Sequence, residues 1–340
     1  MALPSFTASR LAVLIAGLGL SAAALAAPTQ YPLTVDNCGQ QLKFDKAPEK
    51  AVTIGQAGTE TFYALGLGDR LAGTSLWFNK VSPEYEAQNA GVERLADNDP
   101  SFESVIGKRP GLVAVQFEWM VGQQGVVGTR EQFHEVGIPT YILPSDCEGK
   151  DNLVGADGTR LQAFDVGSVY KGVLQLAQIF DVQTRGEELV AGYKARLAAA
   201  QDKARKNGAD KLSALFWFSS ADLEIDPYVA GRKGVADFML ASLGMRNVIE
   251  SQEEWPTVGW ETIAKANPDI LIIARMERRR FPADDYEKKL EFLKSDSVTR
   301  NMDAVKNGRI VIMDADAMQA STRIFAGVEQ LAEAAAGFRR

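Results

Sequence analysis

Histidine is nearly absent from this 340-residue chain, which has only His134, and cysteine is scarce, with Cys38 and Cys147 alone. A protein site for a bare transition metal needs several imidazole, thiolate or carboxylate ligands held together. Capture of naked zinc or manganese is therefore not expected, and no metal site is assigned. Nor does the chain contain a Gly-x-Ser-x-Gly elbow, a Cys–His pair, a Walker loop or a dinucleotide fingerprint, the local signatures of acyl, phosphoryl and hydride transfer. No catalytic residue is assigned, and the chain is read as a non-enzyme without a cofactor of its own.

Long apolar runs are also lacking, with one exception. Residues Leu11–Leu20 follow the single basic residue Arg10 and lead into Ala24-Leu25-Ala26-Ala27-Pro28. The run is shorter than the roughly 20 residues a spanning helix needs and has the form of a secretory signal peptide. Cleavage after Ala26 satisfies the small-x-small rule and keeps Pro28 out of the first mature position. No cysteine lies at that point to carry a lipid, so a freely soluble periplasmic protein is expected. The formal charge of −7 becomes −8 with Arg10 removed, since residues 1–26 hold no Asp or Glu. An acidic surface disfavours nucleic acid and anionic lipid. In an exported chain the two cysteines can oxidise, and a Cys38–Cys147 disulfide is predicted.

About 314 residues remain, a size at which chains usually divide into two cores. From Pro48 onward apolar strands alternate with helices, which indicates parallel α/β sheets. Strands are expected at Ala51–Ile54, Leu71–Ser75, Leu112–Val115 and Thr140–Leu143, with helices from Thr59 to Gly66 or Gly68 and over Thr129–Val136. Helical spacing then runs almost without interruption over Asp165–Lys206, with a break near Asp181–Thr184. Good helix formers fill its second half, enough for a rod of roughly 30 Å. The alternation restarts with strands at Leu212–Phe218, Asp269–Ala274 and Arg309–Met313, and helices at Lys233–Leu243, Glu287–Lys294 and Ile324–Phe338. The expected organisation is a signal peptide 1–26, an N-terminal α/β lobe 27–160, a connecting helical segment 161–207 and a C-terminal α/β lobe 208–340.

The chain resembles the periplasmic binding proteins for siderophores, haem and cobalamin, in which one long rigid helix joins two α/β lobes. The resemblance is carried by Pro48-Glu49-Lys50-Ala51-Val52-Thr53-Ile54 with Thr59-Glu60, by Lys108-Arg109-Pro110-Gly111-Leu112-Val113, by Gly137-Ile138-Pro139, by Val258-Gly259-Trp260-Glu261, by Asn267-Pro268-Asp269-Ile270 and by Lys306-Asn307-Gly308-Arg309. It implies a monomer that captures a ferric siderophore or related iron chelate between its lobes and delivers it to an inner-membrane ABC permease. Haem or cobalamin binding, or a periplasmic iron-siderophore chaperone role, is the alternative. Iron would arrive only within the chelate. The resemblance further implies one exposed docking glutamate per lobe, matched here to Glu60 and Glu261.

Ligands of open α/β sheets bind beyond the strand carboxyl ends. The loops at those ends carry Gln56, Trp77, Trp119, Phe218 and Tyr228, candidates for holding a large apolar ligand. They also carry Arg232, Arg275 and Arg279, candidates for an anionic chelate, with Arg278 and Arg280 beside them.

Overall fold

The computed structural model describes Met1, residues 27–154 and residues 158–338; the expected signal peptide lies outside the described residues apart from Met1. Two five-stranded sheets organise the chain. In the first, the order is Arg94–Ala96, Leu71–Ser75, Ala51–Ile54, Leu112–Val115 and Thr140–Ile142, all parallel. The second runs Tyr228–Val229, Ser213–Ser219, Ile270–Arg275 and Ile310–Asp314, with Arg246–Asn247 also paired to Ser213–Ser219. Its three longer strands are parallel, and Tyr228–Val229 is antiparallel.

Alternate residues of each strand enter separate cores, as a period of two requires. Ala51, Leu112, Ala114 and Tyr141 face one cluster, and Val52, Ile54, Val113, Val115 and Ile142 the other. In the second sheet Ala214, Phe216, Ile270 and Ile272 divide from Leu215, Trp217, Leu271 and Ile273 in the same way. Both faces of both sheets are covered, which explains the unbroken apolar runs legible in the sequence.

The long helical segment is two helices, Gly167–Ile179 and Gln183–Lys206, broken at Phe180–Val182. The second, at 1.5 Å per residue, is about 36 Å long. Its early residues Val190 and Tyr193 pack into the first lobe, and Ala200 and Ala204 pack into the second. Gly186 lets it approach its partner helix, because a Cβ there would lie 2.5 Å from that of Ala177. The final helix, Ile324–Gly337, also spans the junction. Phe325 stacks on Tyr193 with centroids 4.5 Å apart, while Ile324, Val328 and Leu331 join the second lobe. Arg196 donates from Nε and Nη2 to the two carboxylate oxygens of Glu329, pinning the two spanning helices together.

A sequence reading that begins at Pro48 omits the hairpin Leu33–Asn37 and Gln40–Phe44, whose alternation buries Leu33, Val35, Leu42 and Phe44. The Cys38–Cys147 disulfide is present and ties the turn of this hairpin to the loop after Thr140–Ile142. The edge strand Arg94–Ala96 was not expected either. It has three residues and no buried side chain, so it leaves no apolar run to detect.

Candidate functional site

In parallel sheets the loops at the strand carboxyl ends lie on one side, and here those of the two lobes meet each other. Two sets of contacts join them. On one flank Asn79 Nδ2 donates to Asp316 Oδ2 at 2.7 Å, and the backbone N–H groups of Glu277 and Arg278 both donate to the Phe78 carbonyl, at 2.9 and 3.0 Å. On the other, Arg160 Nε donates to Glu254 Oε2 at 2.9 Å and Phe164 N–H to the Lys233 carbonyl at 2.9 Å.

Aromatic side chains converge on the same junction. Phe117 from the first lobe, and Phe218 and Trp255 from the second, pack against one buried cluster that includes Phe78. Phe117 stacks with Trp119 at 5.8 Å, and Phe218 leans on Trp255 at 4.8 Å. All four are half-buried, with ring surface left over. Of the residues assigned from sequence, Trp119 and Phe218 belong to this group. Tyr228 is half-buried and bridges to Thr257. Trp255, three residues before the Val258-Gly259-Trp260-Glu261 segment, was missed as a ligand contact.

Other assigned residues are engaged elsewhere. Gln56 is enclosed: its Oε1 accepts from the Phe78 and Asn79 N–H groups, and its Nε2 donates to Glu60 and to the Lys80 carbonyl. It shapes the loop from within and offers no free group. Its helix starts tightly at Gly55, where φ is +120° and a Cβ would lie 2.2 Å from that of Gln116. Trp77 is 3% exposed, packed in the first lobe's core with Arg94 over its ring. Both are corrections to the ligand-contact expectation, because burial removes the surface a ligand would touch. The arginines are present but paired. Arg275 holds Asp314, Arg279 holds Asp285, and Arg232 lies 3.6 Å from Asp237. Arg278 is the arginine of the triplet that crosses to the other lobe, 4.4 Å from the Phe78 ring and donating to Asn98 Oδ1.

Glu60 is the clearest correction. Expected exposed for docking, it is 2% exposed. Its two carboxylate oxygens accept from Arg323 Nη2 at 2.5 Å and Nε at 2.7 Å, and Oε1 also accepts from Ser82 N–H. Helix Gln56–Ala64 starts where its strand ends, at the centre of the junction, so its first turn points at the opposite lobe. Around this pair burial pushes the Asp316 carboxyl up to about 7, although Arg323 and Asn79 pull the other way. Burial pulls the Arg323 guanidinium down, but Glu60, Asp316 and Asp314 together raise its pKa above the ordinary arginine value.

Glu261 is exposed, in the first turn of Trp260–Ala266. Its counterpart by place in the fold is Glu103, exposed in the first turn of Phe102–Ile106 behind the N-cap Ser101. Each stands seven residues ahead of a proline, Pro110 or Pro268, that introduces a buried parallel strand. This shared spacing was readable in the sequence. His134 is exposed, with Nε2 3.4 Å from Thr140 Oγ1, and among the described residues no cluster of three or more potential metal ligands occurs.

A periplasmic binding protein family model matches residues 52–317, and the chain belongs to that family, whose members bind solutes and are not enzymes. An uncharacterized ABC transporter substrate-binding lipoprotein of Bacillus subtilis, YvrC, is 27% identical over 305 residues, covering 89% of this chain and 85% of its own. The crystal structure of a periplasmic binding protein from Veillonella parvula superposes with a TM-score of 0.74 at 24% identity, over 91% of this chain and 98% of that one. An ABC-type Fe3+-hydroxamate transport system structure from Saccharomonospora viridis gives 0.70 at 24% identity, over 90% and 99%. The two structures share the fold of two lobes and a connecting helix.

Proposed function

We propose that this chain is the exported solute-binding component of an ABC importer and that it captures a bulky iron chelate, a ferric siderophore, between its lobes. The observation that carries this is the packing of Phe117, Phe218 and Trp255 on one cluster where the carboxyl ends of the two sheets face each other, with Trp119 stacked on Phe117 beside it. Aromatic faces hold large, weakly hydrated ligands and fix their orientation. The name of the Bacillus relative and the hydroxamate named for the Saccharomonospora structure support the same reading. Iron already wrapped in a chelator needs no protein ligand, which agrees with the single histidine.

Docking to the permease is assigned to Glu103 and Glu261. Both carboxylates are exposed at helix starts, on the side of the sheets where the strands end, with one on each lobe. A single helix of 24 residues between the lobes resists wide hinge closure, so solution scattering profiles with and without ligand should nearly superimpose.

The deciding experiment is a tryptophan-quenching titration of the mature protein with ferric siderophores, run beside uptake of the same iron-labelled chelate in cells with and without the gene. Saturable quenching with loss of uptake is the expected result. Absence of binding by every iron chelate would overturn the proposal, and binding with uptake intact would move the role to a periplasmic chaperone.

A further inference from the structure

Most cations of the junction loops are already paired with the protein's own carboxylates. Arg275 pairs with Asp314, Arg279 with Asp285, Arg232 with Asp237, Arg160 with Glu254, Lys80 with Glu277 and Arg323 with Glu60. An anion that took one of these arginines would leave a carboxylate without its partner, and in a partly buried site that costs more than an exposed pair gains. Arg278 is spent differently, over the Phe78 ring and on Asn98, and its charge is disfavoured first by burial and then by Arg280. Arg278 and Arg280 are then the arginines of these loops with no ion pair among the described residues, and of the two only Arg280 has no side-chain partner.

Exposed acids are carried by the loops of the same lobe. Asp222, Glu224 and Asp226 occupy the loop after Ser213–Ser219, and Glu253 lies beside Trp255. No ion pair engages any of the four among the described residues. Across such a field a multiply charged anion is repelled at contact distances, where partial desolvation weakens screening. The unspent attraction of the site is aromatic.

We infer that the cleft takes a bulky ligand with broad apolar faces and no net negative charge, such as a neutral ferric trihydroxamate or a corrinoid, and discriminates against a trianionic ferric tricatecholate. This rests on the solute-binding reading above and adds to it a charge class.

The test is calorimetric titration of the mature protein with three probes: a neutral ferric trihydroxamate, cyanocobalamin and a trianionic ferric tricatecholate. At least one neutral probe should bind at least about tenfold more tightly than the tricatecholate, with an affinity that changes little between about 0.05 and 0.5 M salt. Trp119→Leu and Trp255→Leu should each weaken that probe. Asp285→Asn, which keeps the helix cap on Glu287 N–H and releases Arg279, should raise tricatecholate affinity while leaving the neutral probe in place. Which neutral probe binds separates the hydroxamate from the corrinoid. Tighter binding of the tricatecholate to the unmodified protein, weakening with salt, would overturn the charge class and leave the solute-binding reading standing. Failure of all three would overturn both.

Discussion

Gly58-Thr59-Glu60 and Gly259-Trp260-Glu261 look alike along the chain, but the first lies inside helix Gln56–Ala64, capped at Gly55, while the second opens helix Trp260–Ala266, and their glutamates end in opposite surroundings. Glu60 is enclosed by Gln56, Ser82 and Arg323 at the meeting of the lobes, whereas Glu261 stands in solvent. The first helix leaves the carboxyl end of a central strand and is aimed at the other lobe. The second precedes its strand, Ile270–Arg275, as Phe102–Ile106 with Glu103 precedes Leu112–Val115. A local motif sets where a helix begins. What lies across from that start decides whether the carboxylate fastens the lobes or is left free for a partner.

The largest expected effect is at the enclosed end. Glu60→Ala removes the bidentate partner of the buried Arg323 guanidinium and leaves it only Asp314 at 3.3 Å and Asp316 at 4.0 Å as acidic partners, and a loss of about 3 kcal/mol is expected by urea unfolding. Glu60→Met with Arg323→Met should recover much of it. A loss no greater than that of a surface substitution would erase the contrast between the two glutamates.

Next comes the disulfide. Replacing Cys38 and Cys147 by serine should cost about 2–4 kcal/mol, with faster hydrogen exchange confined to the hairpin 33–44 and the loop after residue 142. Spread of the effect to the second lobe would show that the lobes unfold as one unit.

A smaller effect concerns Asp316, faced by Asn79, Glu60, Asp314 and Arg323. Its carboxyl, raised by burial to about 7, keeps its proton in the fold after the unfolded chain has lost it. Stability should therefore fall as pH rises from about 4 to about 7 and level off above. Asp316→Asn still accepts from Asn79 and should remove the decline, with a gain on the order of 2 kcal/mol at pH 8 and none at pH 4. A parallel pH profile in the variant would remove Asp316 as its origin.

At the free end, Glu103→Ala with Glu261→Ala should leave the unfolding midpoint and chelate affinity unchanged while abolishing uptake. Loss of affinity in the double variant would place these carboxylates in the ligand site.

Much of the architecture was legible in sequence because both sheets are covered on both faces, so their strands appear as short apolar runs such as Ala51–Ile54 and Ile270–Ala274, punctuated by Gly and Pro. The helical segment was legible by composition and spacing, and the disulfide by there being only two cysteines in a chain read as exported. The ligand site was legible as a set of loops and not as a set of side chains. Trp119 and Phe218 reach the junction, while Trp77 turns into its own core and Gln56 braces its own loop.

The sequence alone therefore determined most of the order of elements and the two-lobed plan, since these depend on local periodicity. Only the tertiary structure decided which charges are available. Arg275, Arg279 and Glu60 read as free groups along the chain, but their partners Asp314, Asp285 and Arg323 are brought to them by folding. Arg323 lies 263 residues from Glu60; an ion pair depends on distance in space, which separation along the chain does not encode.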